Sequence, residues 1–543
     1  MPSARDMPAL FDLVASADRD MGRTAIRCLS RLGGVALPVA ISKFAEAKAP
    51  LRARLCDLIA MLGEQTANAD VGAWLLARLG DEDGATRRRA ALQLGKRVAA
   101  WPGERARAEA ALTAAFVNAE TADRRAIAES LGRLGSGESL RLLQDHTFES
   151  SPEPASLTVT PQQTAAADAL LDQRVLEARL RIEQRELRQV TSFISLDAPL
   201  NQPTPILLHV RAGLEDLLLS ELQSVAGLRE VPRMVGPGRV RVLTAGPLLP
   251  LFAARTFMHI GFPIELQGDA HDVVGTVVEA LTMPATTTLL ATLTRGPVRF
   301  RLNWAAGGQR RGDTREVAQR VVLAVPWLVN DSTQAPWEVV VSEVDGKFGP
   351  RVFIELWPQK LADPRFVYRK ATMPASSHPT IAAALVQVAG CRPNDVVWDP
   401  FVGTGMELAE RGLAGPYQHL FGTDIDANAI AAAQANVASA GLGHVTLCLQ
   451  DARLFNPPQA PTLIITNPPF GRRVVVTEGV RELLEDVLGH AAAQLAPHGR
   501  MVFITPRVHA TAAVMKRAGL TLVRQLPVDV GGFAAHLELW QVP

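Results

Sequence analysis

One tetrapeptide of the chain carries groups that could do chemistry on a planar nitrogen: Asn467-Pro468-Pro469-Phe470. An exocyclic amine is a poor nucleophile, because its lone pair is delocalised into the ring. Two acceptors that hold its hydrogens draw the nitrogen towards tetrahedral geometry, and the candidates are the Asn467 side-chain oxygen and the Pro468 carbonyl. Pro469 has no N–H to compete for them, and Phe470 can stack on a base. We therefore expect an in-line displacement driven mainly by positioning, without a strong general base.

A glycine-rich loop upstream could bind the group donor. The apolar run Val396-Val397-Trp398 predicts a buried strand, and a loop with two glycines follows it. Glycine lets the backbone approach a ligand without a Cβ clash, and the helix that starts near Met406 points its N-terminus at the site. We interpret the loop as a cradle for the amino-acid part of S-adenosylmethionine, the methyl donor, with Asp399 pairing with its ammonium group. The loop residues assigned to the donor are Asp399, Pro400, Phe401, Gly403, Thr404 and Gly405.

Acidic residues at two further strand ends could bind the rest of the donor. A carboxylate at the end of the second strand can accept hydrogen bonds from both ribose hydroxyls, and Asp424 is the first choice, beside Ile425 and with Asp426 in reserve. At the end of the third strand, Asp451, followed by Ala452, would accept a hydrogen bond from the adenine amino group. The structural alternatives are a tight turn for the glycine loop and a helix or turn cap for Asp451.

The tetrapeptide does not specify the acceptor of the methyl group. Adenine N6 in DNA, guanine N2 in RNA and the side-chain amide of glutamine in proteins are all handled by similar loops. The residues that follow are Gly471-Arg472-Arg473. Arg472 and Arg473 could contact phosphates or the O6 edge of guanine, or they could form surface ion pairs with nearby acidic residues.

Two types of domain are predicted to position these residues. Residues 373–543 alternate apolar strand patterns with helical patterns, which predicts a mostly parallel, doubly wound sheet, an α/β Rossmann-like fold. Residues 205–372 alternate short strands with helices and predict an α+β unit, in which residues 248–258 read as a helix.

The N-terminal residues 1–147 contain an internal repeat. Segments 23–33, 52–63, 87–95 and 124–135 each carry apolar residues at helical spacing and stop at a glycine, the usual C-terminal helix signal. Repeats of roughly 30–40 residues imply stacked helix pairs, so we expect an α-helical solenoid. Its arginines could bind phosphate or simply pair with neighbouring acids. Residues 148–204 are predicted to be a linker that includes a charged helix from Asp168 to Gln189.

Composition narrows the cellular setting. A chain of 543 residues is too long for one core, and its net charge of +1 counts mildly against a large polyanionic partner, although a local basic patch would suffice. Four scattered cysteines without a CxxC pair predict a reducing compartment and neither a disulfide frame nor a metal site. The chain shows no signal-peptide pattern and no bilayer-length apolar stretch, so we expect a cytoplasmic protein without membrane contact.

Taken in order, several motifs resemble a known family. Asn-Pro-Pro-aromatic followed by Gly and basic residues is typical of the THUMP-domain class I RNA methyltransferases that act on guanosine N2. The upstream unit resembles the ferredoxin-like and THUMP accessory half of that family. The matching segments there are Arg211-Ala212-Gly213-Leu214-Glu215-Asp216, Gly238-Arg239-Val240, the strand ending in Trp304, and Phe366-Val367-Tyr368-Arg369-Lys370. The N-terminal repeats resemble HEAT repeats.

The resemblance implies S-adenosylmethionine as cofactor and a structured RNA as partner, with tRNA ahead of ribosomal RNA. It also implies a protein partner for the HEAT-like repeats. The residues expected to contact RNA are Arg472, Arg473, Arg310, Arg311, Arg369 and Lys370. The alternatives are an enzyme acting on adenine N6 of DNA or glutamine N5 of protein, and a HEAT-repeat scaffold whose methyltransferase fold has lost activity.

Overall fold

The computed structural model of the chain describes residues 4–16, 18–101, 103–145, 161–266, 271–305, 307, 310–346, 349–374, 376–469 and 479–543. The chain divides into two units, Met1–Val190 and Thr191–Pro543. None of the described helices is by itself long and apolar enough to cross a membrane, although two bent helix pairs pass by length and composition.

Helices build the described part of the first unit. They are α1 (Met7–Val14), α2 (Arg19–Ser30), α3 (Ala36–Glu46), α4 (Leu51–Gln65), α5 (Ala69–Ala77), α6 (Gly84–Arg97), α7 (Glu104–Asn118), α8 (Thr121–Leu134), α9 (Gly137–Gln144) and α10 (Pro161–Gln189). Helices α2, α4, α6, α8 and α10 form one row, in which each helix contacts the next. Helices α5, α7 and α9 form a second row in the same way. The unit is therefore a two-layered helical array with one continuous apolar core.

Two of the repeat glycines have a different role from the one predicted. Gly63 and Gly95 lie inside α4 and α6 and do not end these helices, whereas Gly135 directly follows α8 and caps it, as predicted. Gly132, earlier in the same segment, also lies inside α8. A Cβ on Gly95 would lie 2.7 Å from the Cα of Ser130, and one on Gly132 would lie 2.9 Å from the Cα of Ala178. Tertiary packing explains the difference, because a helix without a Cβ at the contact can approach its neighbour closely.

The charged helix also differs from its prediction as part of a linker. Helix α10 begins at Pro161 and packs against α8 and α9. Its apolar stripe, including Val175 and Ile182, is buried in the core of the first unit. Arg185 donates from Nη1 to the carbonyl of Arg133 at 2.7 Å, which satisfies a free carbonyl near the end of α8. The division between units consequently falls after Val190, within the segment 148–204.

The second unit begins with an α+β region. Its elements are β1 (Phe193–Ile194), β2 (Leu200–Val210), α11 (Glu215–Leu222), β3 (Arg233–Gly236), β4 (Arg239–Gly246), β5 (Phe257–Ile264), α12 (Val273–Thr282), α13 (Pro284–Leu293), β6 (Thr294–Arg295), β7 (Arg299–Trp304), α14 (Arg311–Ala324), β8 (Val329–Asn330), β9 (Trp337–Gly346) and β10 (Gly349–Pro358). Eight strands form one sheet in the order β3-β4-β2-β5-β10-β9-β7-β8, and β1 pairs with β6.

The helix predicted for residues 248–258 is absent from this region. A short 3₁₀ turn covers Leu249–Ala253, and β5 begins at Phe257. Strand β5 lies between β2 and β10, with Phe257, Ile260 and Phe262 buried. Aromatic and β-branched residues suit such a buried strand, and this packing overrides the short helical pattern.

The rest of the second unit is an α/β domain. Its elements are α15 (Pro379–Ala389), β11 (Val396–Asp399), α16 (Met406–Leu413), β12 (His419–Asp424), α17 (Ala427–Ser439), β13 (Val445–Leu449), β14 (Leu463–Thr466), α18 (Val480–Ala493), β15 (Arg500–Thr505), α19 (Val508–Arg517), β16 (Thr521–Asp529) and β17 (Ala534–Gln541). The sheet order is β13-β12-β11-β14-β15-β17-β16, with β17 antiparallel to both neighbours. The strand order reverses between β11 and β14, where ligands bind in such sheets. The predicted α/β fold is confirmed.

A buried ionic cluster joins distant parts of this domain. The Asp395 carboxylate accepts two hydrogen bonds from Arg500 and one from Arg411, each at 2.8 Å. Burial by itself would raise the pKa of Asp395, and the hydrogen bonds from the two guanidinium groups reverse this and hold the pKa well below its usual range. Because Asp395 immediately precedes β11, the cluster fixes the start of the strand that leads to the glycine loop.

An ion pair connects the α+β region to the α/β domain. Arg255 donates to both carboxylate oxygens of Glu410 on α16, at 2.6 and 2.8 Å, and the Tyr368 hydroxyl donates to the same carboxylate at 2.5 Å. Close backbone contact supplements it, since a Cβ on Gly213 would overlap the carbonyl of Pro527. The accessory strands are therefore held against the domain that carries the glycine loop.

Candidate active site

The glycine loop follows β11 and turns sharply into α16. Gly403 and Gly405 have φ of +49° and +76°, in the left-handed region that favours glycine. A Cβ on Gly405 would come within 3.2 Å of the Cβ of Ala433 on α17. The loop is also tied to β12, because Val402 N–H donates to the carbonyl of Thr423 at 2.9 Å. These contacts leave the loop backbone fixed at the carboxyl ends of the strands.

Asp424 lies at the end of β12, beside the loop. One carboxylate oxygen accepts from Gly403 N–H and the other from Asp426 N–H, both at 3.0 Å. Asp426 in turn accepts from Asn428 N–H at 2.9 Å and caps α17. Asp424, the first choice for the ribose site, is thus held by the glycine loop. Asp426, the second choice, serves as the N-cap of α17.

Asp399 ends β11, as predicted, but it is not among the residues that line the cavity described below. Its side chain is fully buried, Oδ1 accepts from Phe401 N–H at 3.0 Å, and the Thr466 hydroxyl lies beside the carboxylate as a further donor. Burial, and then the neighbouring Glu407 carboxylate, raise the pKa of Asp399 well above its ordinary value. The carboxylate stabilises the turn, and its pairing with the ammonium group of the donor stays a prediction.

A buried amide connects the loop to the segment that precedes α15. Asn436 accepts at Oδ1 from the backbone N–H groups of Lys370 and Ala371, at 2.8 and 2.9 Å. Its Nδ2 donates to the carbonyls of Ala371 and Thr404, at 3.0 and 2.9 Å. All of its hydrogen-bonding groups are used, so Asn436 fixes the distance between the two segments.

A cavity of about 970 Å³ opens above the loop. Of the residues assigned to the donor and the target, its wall contains Pro400, Phe401, Gly403, Thr404, Asp424, Ile425, Asp451, Ala452, Asn467, Pro468 and Pro469. Gly405 lies beneath the wall, against α17. Phe470, Arg472 and Arg473 fall outside the described residues. The structure therefore brings together residues that are separated by some 70 positions of sequence.

Asn467 directly follows β14 and is oriented by a serine. Its Nδ2 donates to Ser377 Oγ at 2.6 Å, and Ser377 Oγ donates to Glu407 Oε1 at 2.5 Å. The Asn467 Oδ1 is buried and has no partner among the described residues. An unpartnered buried acceptor costs roughly 1–3 kcal/mol, which is offset once a ligand supplies a hydrogen. The amide oxygen is thus available to hold a target amine.

Asp451 has the capping role that was the alternative to adenine binding, and the adenine role stays a prediction. Its Oδ1 accepts from Arg453 N–H at 2.9 Å and caps a short 3₁₀ turn, and Oδ2 pairs with the Arg453 guanidinium at 2.7 Å. These bonds, led by the Arg453 side chain, lower the pKa of Asp451. The carboxylate still lines the cavity, so it remains available as an acceptor for the adenine amino group.

The residues of the cavity fit S-adenosylmethionine. Gly403 lines the cavity without a Cβ that could occupy it, and Asp424 and Asp451 provide acceptors at the ends of β12 and β13. Within the described residues, no group of three or more His, Cys, Asp and Glu is arranged to hold a metal ion.

Comparison with known proteins identifies the family. Residues 367–535 match the profile of UPF0020, the RMKL-like methyltransferase domain. A tRNA (guanine(6)-N2)-methyltransferase from Thermus thermophilus is 30% identical over 330 residues, which are 59% of this chain and 94% of that protein. The chain belongs to this methyltransferase family. It is an N-methyltransferase that uses S-adenosylmethionine.

Two further relatives agree with the family. A tRNA (guanine(10)-N2)-dimethyltransferase from Methanothermobacter thermautotrophicus is 30% identical over 134 residues, which are 24% of this chain and 39% of that protein. The crystal structure of TrmN from Thermus thermophilus matches with a TM-score of 0.50 and 25% identity, covering 63% of this chain and 100% of that chain.

The residues predicted to contact RNA are dispersed within the methyltransferase. Arg369 lines the cavity, and its buried Nε has no partner among the described residues. Lys370 and Arg311 are exposed. Arg310 is already engaged, because it pairs with Glu343 at 2.6 Å and lies over the ring of Trp304. Arg310 is therefore less available to a phosphate than its position in the sequence suggested.

Sequence reasoning did not assign several polar residues of the cavity wall to the site, among them Arg211, Ser377, His378 and Glu407. Burial raises the pKa of Glu407 to about 7. Burial, and then the nearby Arg211, lower the pKa of His378 to about 4, so its ring is neutral at pH 7. Glu407 in the first turn of α16 looked like an ordinary helix-start acid. The other three come from segments whose place beside the loop follows only from the tertiary fold.

Proposed function

We propose that this protein transfers a methyl group from S-adenosylmethionine to the exocyclic N2 amine of guanosine in tRNA. The observation that carries the proposal is the Asn467 amide in the wall of the cofactor cavity, whose Oδ1 has no partner in the part of the chain that the structure describes. Its relatives from Thermus and Methanothermobacter, both named as tRNA guanine-N2 enzymes, support guanosine and tRNA.

The chain's own residues would prepare the amine for attack. When bound, S-adenosylmethionine supplies an electrophilic methyl group on a sulfonium centre. The Asn467 Oδ1 and the Pro468 carbonyl accept the two amine hydrogens, which concentrates the nitrogen lone pair on the side that faces the methyl group. Transfer leaves a positively charged, strongly acidic nitrogen, so its proton passes to water. His378, neutral at pH 7, lies in the same wall.

The proposal is tested by identifying the modified nucleoside. The full chain is incubated with labelled S-adenosylmethionine and, in separate reactions, with unmodified tRNA transcripts, ribosomal RNA, DNA and a glutamine-containing protein extract. We expect label in N2-methylguanosine from tRNA, identified by mass spectrometry after digestion. Label found only in ribosomal RNA would contradict tRNA as the substrate. Label in N6-methyladenine or methylglutamine would contradict guanosine as the methyl acceptor. A protein that labels none of these substrates would support the inactive scaffold.

The α+β region is proposed to deliver RNA as a ferredoxin-like and THUMP-like module. In support, Arg211 at the end of β2 reaches the cavity wall, and Arg311 and Lys370 present exposed positive charge. Arginine and lysine side chains of this kind contact phosphates without reading sequence.

The helical first unit is proposed to be a HEAT-like array that binds a protein partner. Its two-layered packing of successive helices supports this assignment. We also propose that the protein acts in the cytoplasm, in agreement with four free cysteines.

A further inference from the structure

A serine connects the target-site asparagine to a carboxylate of the cofactor loop helix. Ser377 Oγ lies 2.6 Å from Asn467 Nδ2 and 2.5 Å from Glu407 Oε1. Glu407 belongs to the first turn of α16 and is 3% exposed. These three side chains come from three separate segments, so their hydrogen bonds exist only in the assembled domain.

The donor and acceptor rules determine the direction of each bond. A hydroxyl has one hydrogen, and an ionised carboxylate can only accept. The hydrogen of Ser377 is therefore committed to Glu407, which leaves its oxygen to accept from the Asn467 Nδ2. A flipped amide would place Asn467 Oδ1 against a serine oxygen that has no hydrogen to offer. By accepting the Ser377 hydrogen, the Glu407 carboxylate thus favours the amide orientation in which Asn467 Nδ2, and not Oδ1, faces Ser377.

We propose that Ser377 and Glu407 are positioning residues that hold the Asn467 amide with its oxygen directed at the methyl-accepting amine. This inference rests on the proposed function, because the amine is the one described there. The selected rotation agrees with the unpartnered state of Asn467 Oδ1. Neither Ser377 nor Glu407 needs to touch the substrate to act in this way.

The protonation state of Glu407 determines how strongly one orientation of the Asn467 amide is favoured over the flipped one. A protonated Glu407 can donate to Ser377, whose hydrogen then becomes available to Asn467 Oδ1 in the flipped rotation. Burial raises the pKa of Glu407 to about 7, so the selection strengthens as the pH rises through neutrality. The other ionisable groups around it are Asp399 at the end of β11, Glu410 on α16 and Tyr368, whose hydroxyl donates to Glu410.

The test measures single-turnover methyl transfer by the full chain to a tRNA transcript, together with calorimetric binding of S-adenosylmethionine. Ser377→Ala should lower the rate constant on the order of tenfold, the loss of one orienting hydrogen bond, and leave the cofactor dissociation constant within about twofold. Ser377→Thr keeps the hydroxyl and should restore the rate to within about threefold. The matched control is Ser439→Ala, the same change at an exposed position on α17.

A pH profile separates orientation from packing. The wild-type rate constant should rise through about pH 7. That rise should disappear in Glu407→Gln, whose neutral carbonyl can accept from Ser377 at every pH. A structural role for Ser377 would lower protein stability without moving this profile.

Three results would overturn the inference: Ser377→Ala transferring methyl at the wild-type rate, Ser377→Ala losing cofactor binding, or Glu407→Gln keeping the pH-dependent rise. The proposed function fails separately. Methylation of a different amine that still depends on Ser377 would refute guanosine and support the orientation role. Wild-type protein that methylates neither RNA, DNA nor protein would refute both.

Discussion

At the scale of the residue, the chemistry depends on acceptors whose orientation is fixed by their neighbours. The side-chain amides of Asn467 and Asn436 both link separate segments, but within the described residues only that of Asn436 has every group paired. An amide with all its partners holds structure, and one with a free oxygen can bind a ligand. This difference distinguishes the two asparagines within the same cavity region.

Removal of the Asn467 side chain should stop methyl transfer while the cofactor still binds. Loss of one preorganised acceptor costs on the order of 10²–10³ in rate. We therefore expect Asn467→Ala to lower the single-turnover rate by at least this factor, with an S-adenosylmethionine dissociation constant close to wild type by calorimetry. Asn118→Ala, the same change at an exposed helix end, is the control. A variant as fast as the wild type would remove Asn467 from the mechanism.

The Asp395 cluster should dominate the acid stability of the catalytic domain. The folded pKa of Asp395 is depressed, so its stabilisation is complete above the unfolded pKa of about 3.9 and is lost as pH falls towards the folded value. Asp395→Asn leaves two buried guanidinium groups without their anion and should reduce the free energy of unfolding at pH 7 by about 3–5 kcal/mol.

Denaturant unfolding at pH 7 and at about pH 2.5, well below the unfolded pKa of about 3.9, checks this expectation, with the exposed Asp486→Asn as control. The difference between Asp395→Asn and wild type should shrink at the lower pH. A difference that stays constant or grows would show that the ionised carboxylate is not the source of the stability.

At the scale of the element, the sequence predicted the catalytic sheet better than the helical array. The apolar strands β11, β12 and β14 and the loops after them carry their own local signals, so Asp424 and Asn467 could be placed at strand ends. The position of Ser377 beside Asn467 has no local signal, because it depends on how the segment before α15 crosses the loop. Likewise, a glycine at the end of an apolar helical pattern can end the helix, as Gly135 does, or pack inside it, as Gly95 does. The sequence around the two glycines does not distinguish these cases.

The buried glycines of the array should be intolerant of even one methyl group. In a helix interior, Gly→Ala normally gains about 1 kcal/mol of propensity. At Gly95 the new Cβ would lie 2.7 Å from the Ser130 Cα, so the backbones must separate, at a cost of typically 1–3 kcal/mol. We expect Gly95→Ala to increase hydrogen exchange in α6 and α8.

Gly80→Ala is the matched control, because a Cβ there meets nothing within 4 Å. Mass spectrometry of deuterated peptides should show unchanged protection for this variant. If Gly95→Ala protects these peptides from exchange as well as the wild type or better, α6 and α8 can move apart without losing stability. The close packing at Gly95 would then not be needed to hold the array together.

At the scale of the whole molecule, the cofactor cavity is built entirely from the second unit, as far as the chain is described. The alignment with the Thermus relative spans 330 residues and covers 94% of that protein. The second unit of this chain, Thr191–Pro543, is longer than this alignment. We therefore expect a chain of residues 191–543 to bind S-adenosylmethionine within about threefold of the full protein, since binding energy comes from direct contacts. Its apparent KM for tRNA, or its binding of a protein partner, should change instead.

Calorimetry and steady-state kinetics on the two proteins provide the comparison. The shorter chain with its Asn467→Ala change serves as the inactive control. Loss of cofactor binding in a folded 191–543 chain would contradict the division of labour between the units.

The buried Asp395 cluster also constrains how the protein is made. Asp395 and its partner Arg500 are 105 residues apart in sequence. At a synthesis rate of roughly 5–20 residues per second, Arg500 leaves the ribosome about 5–20 seconds after Asp395. Until then the nascent domain holds an acid that cannot yet be buried with its full complement of cations. Completion of the catalytic sheet must therefore wait until Arg500 has been made and can reach Asp395.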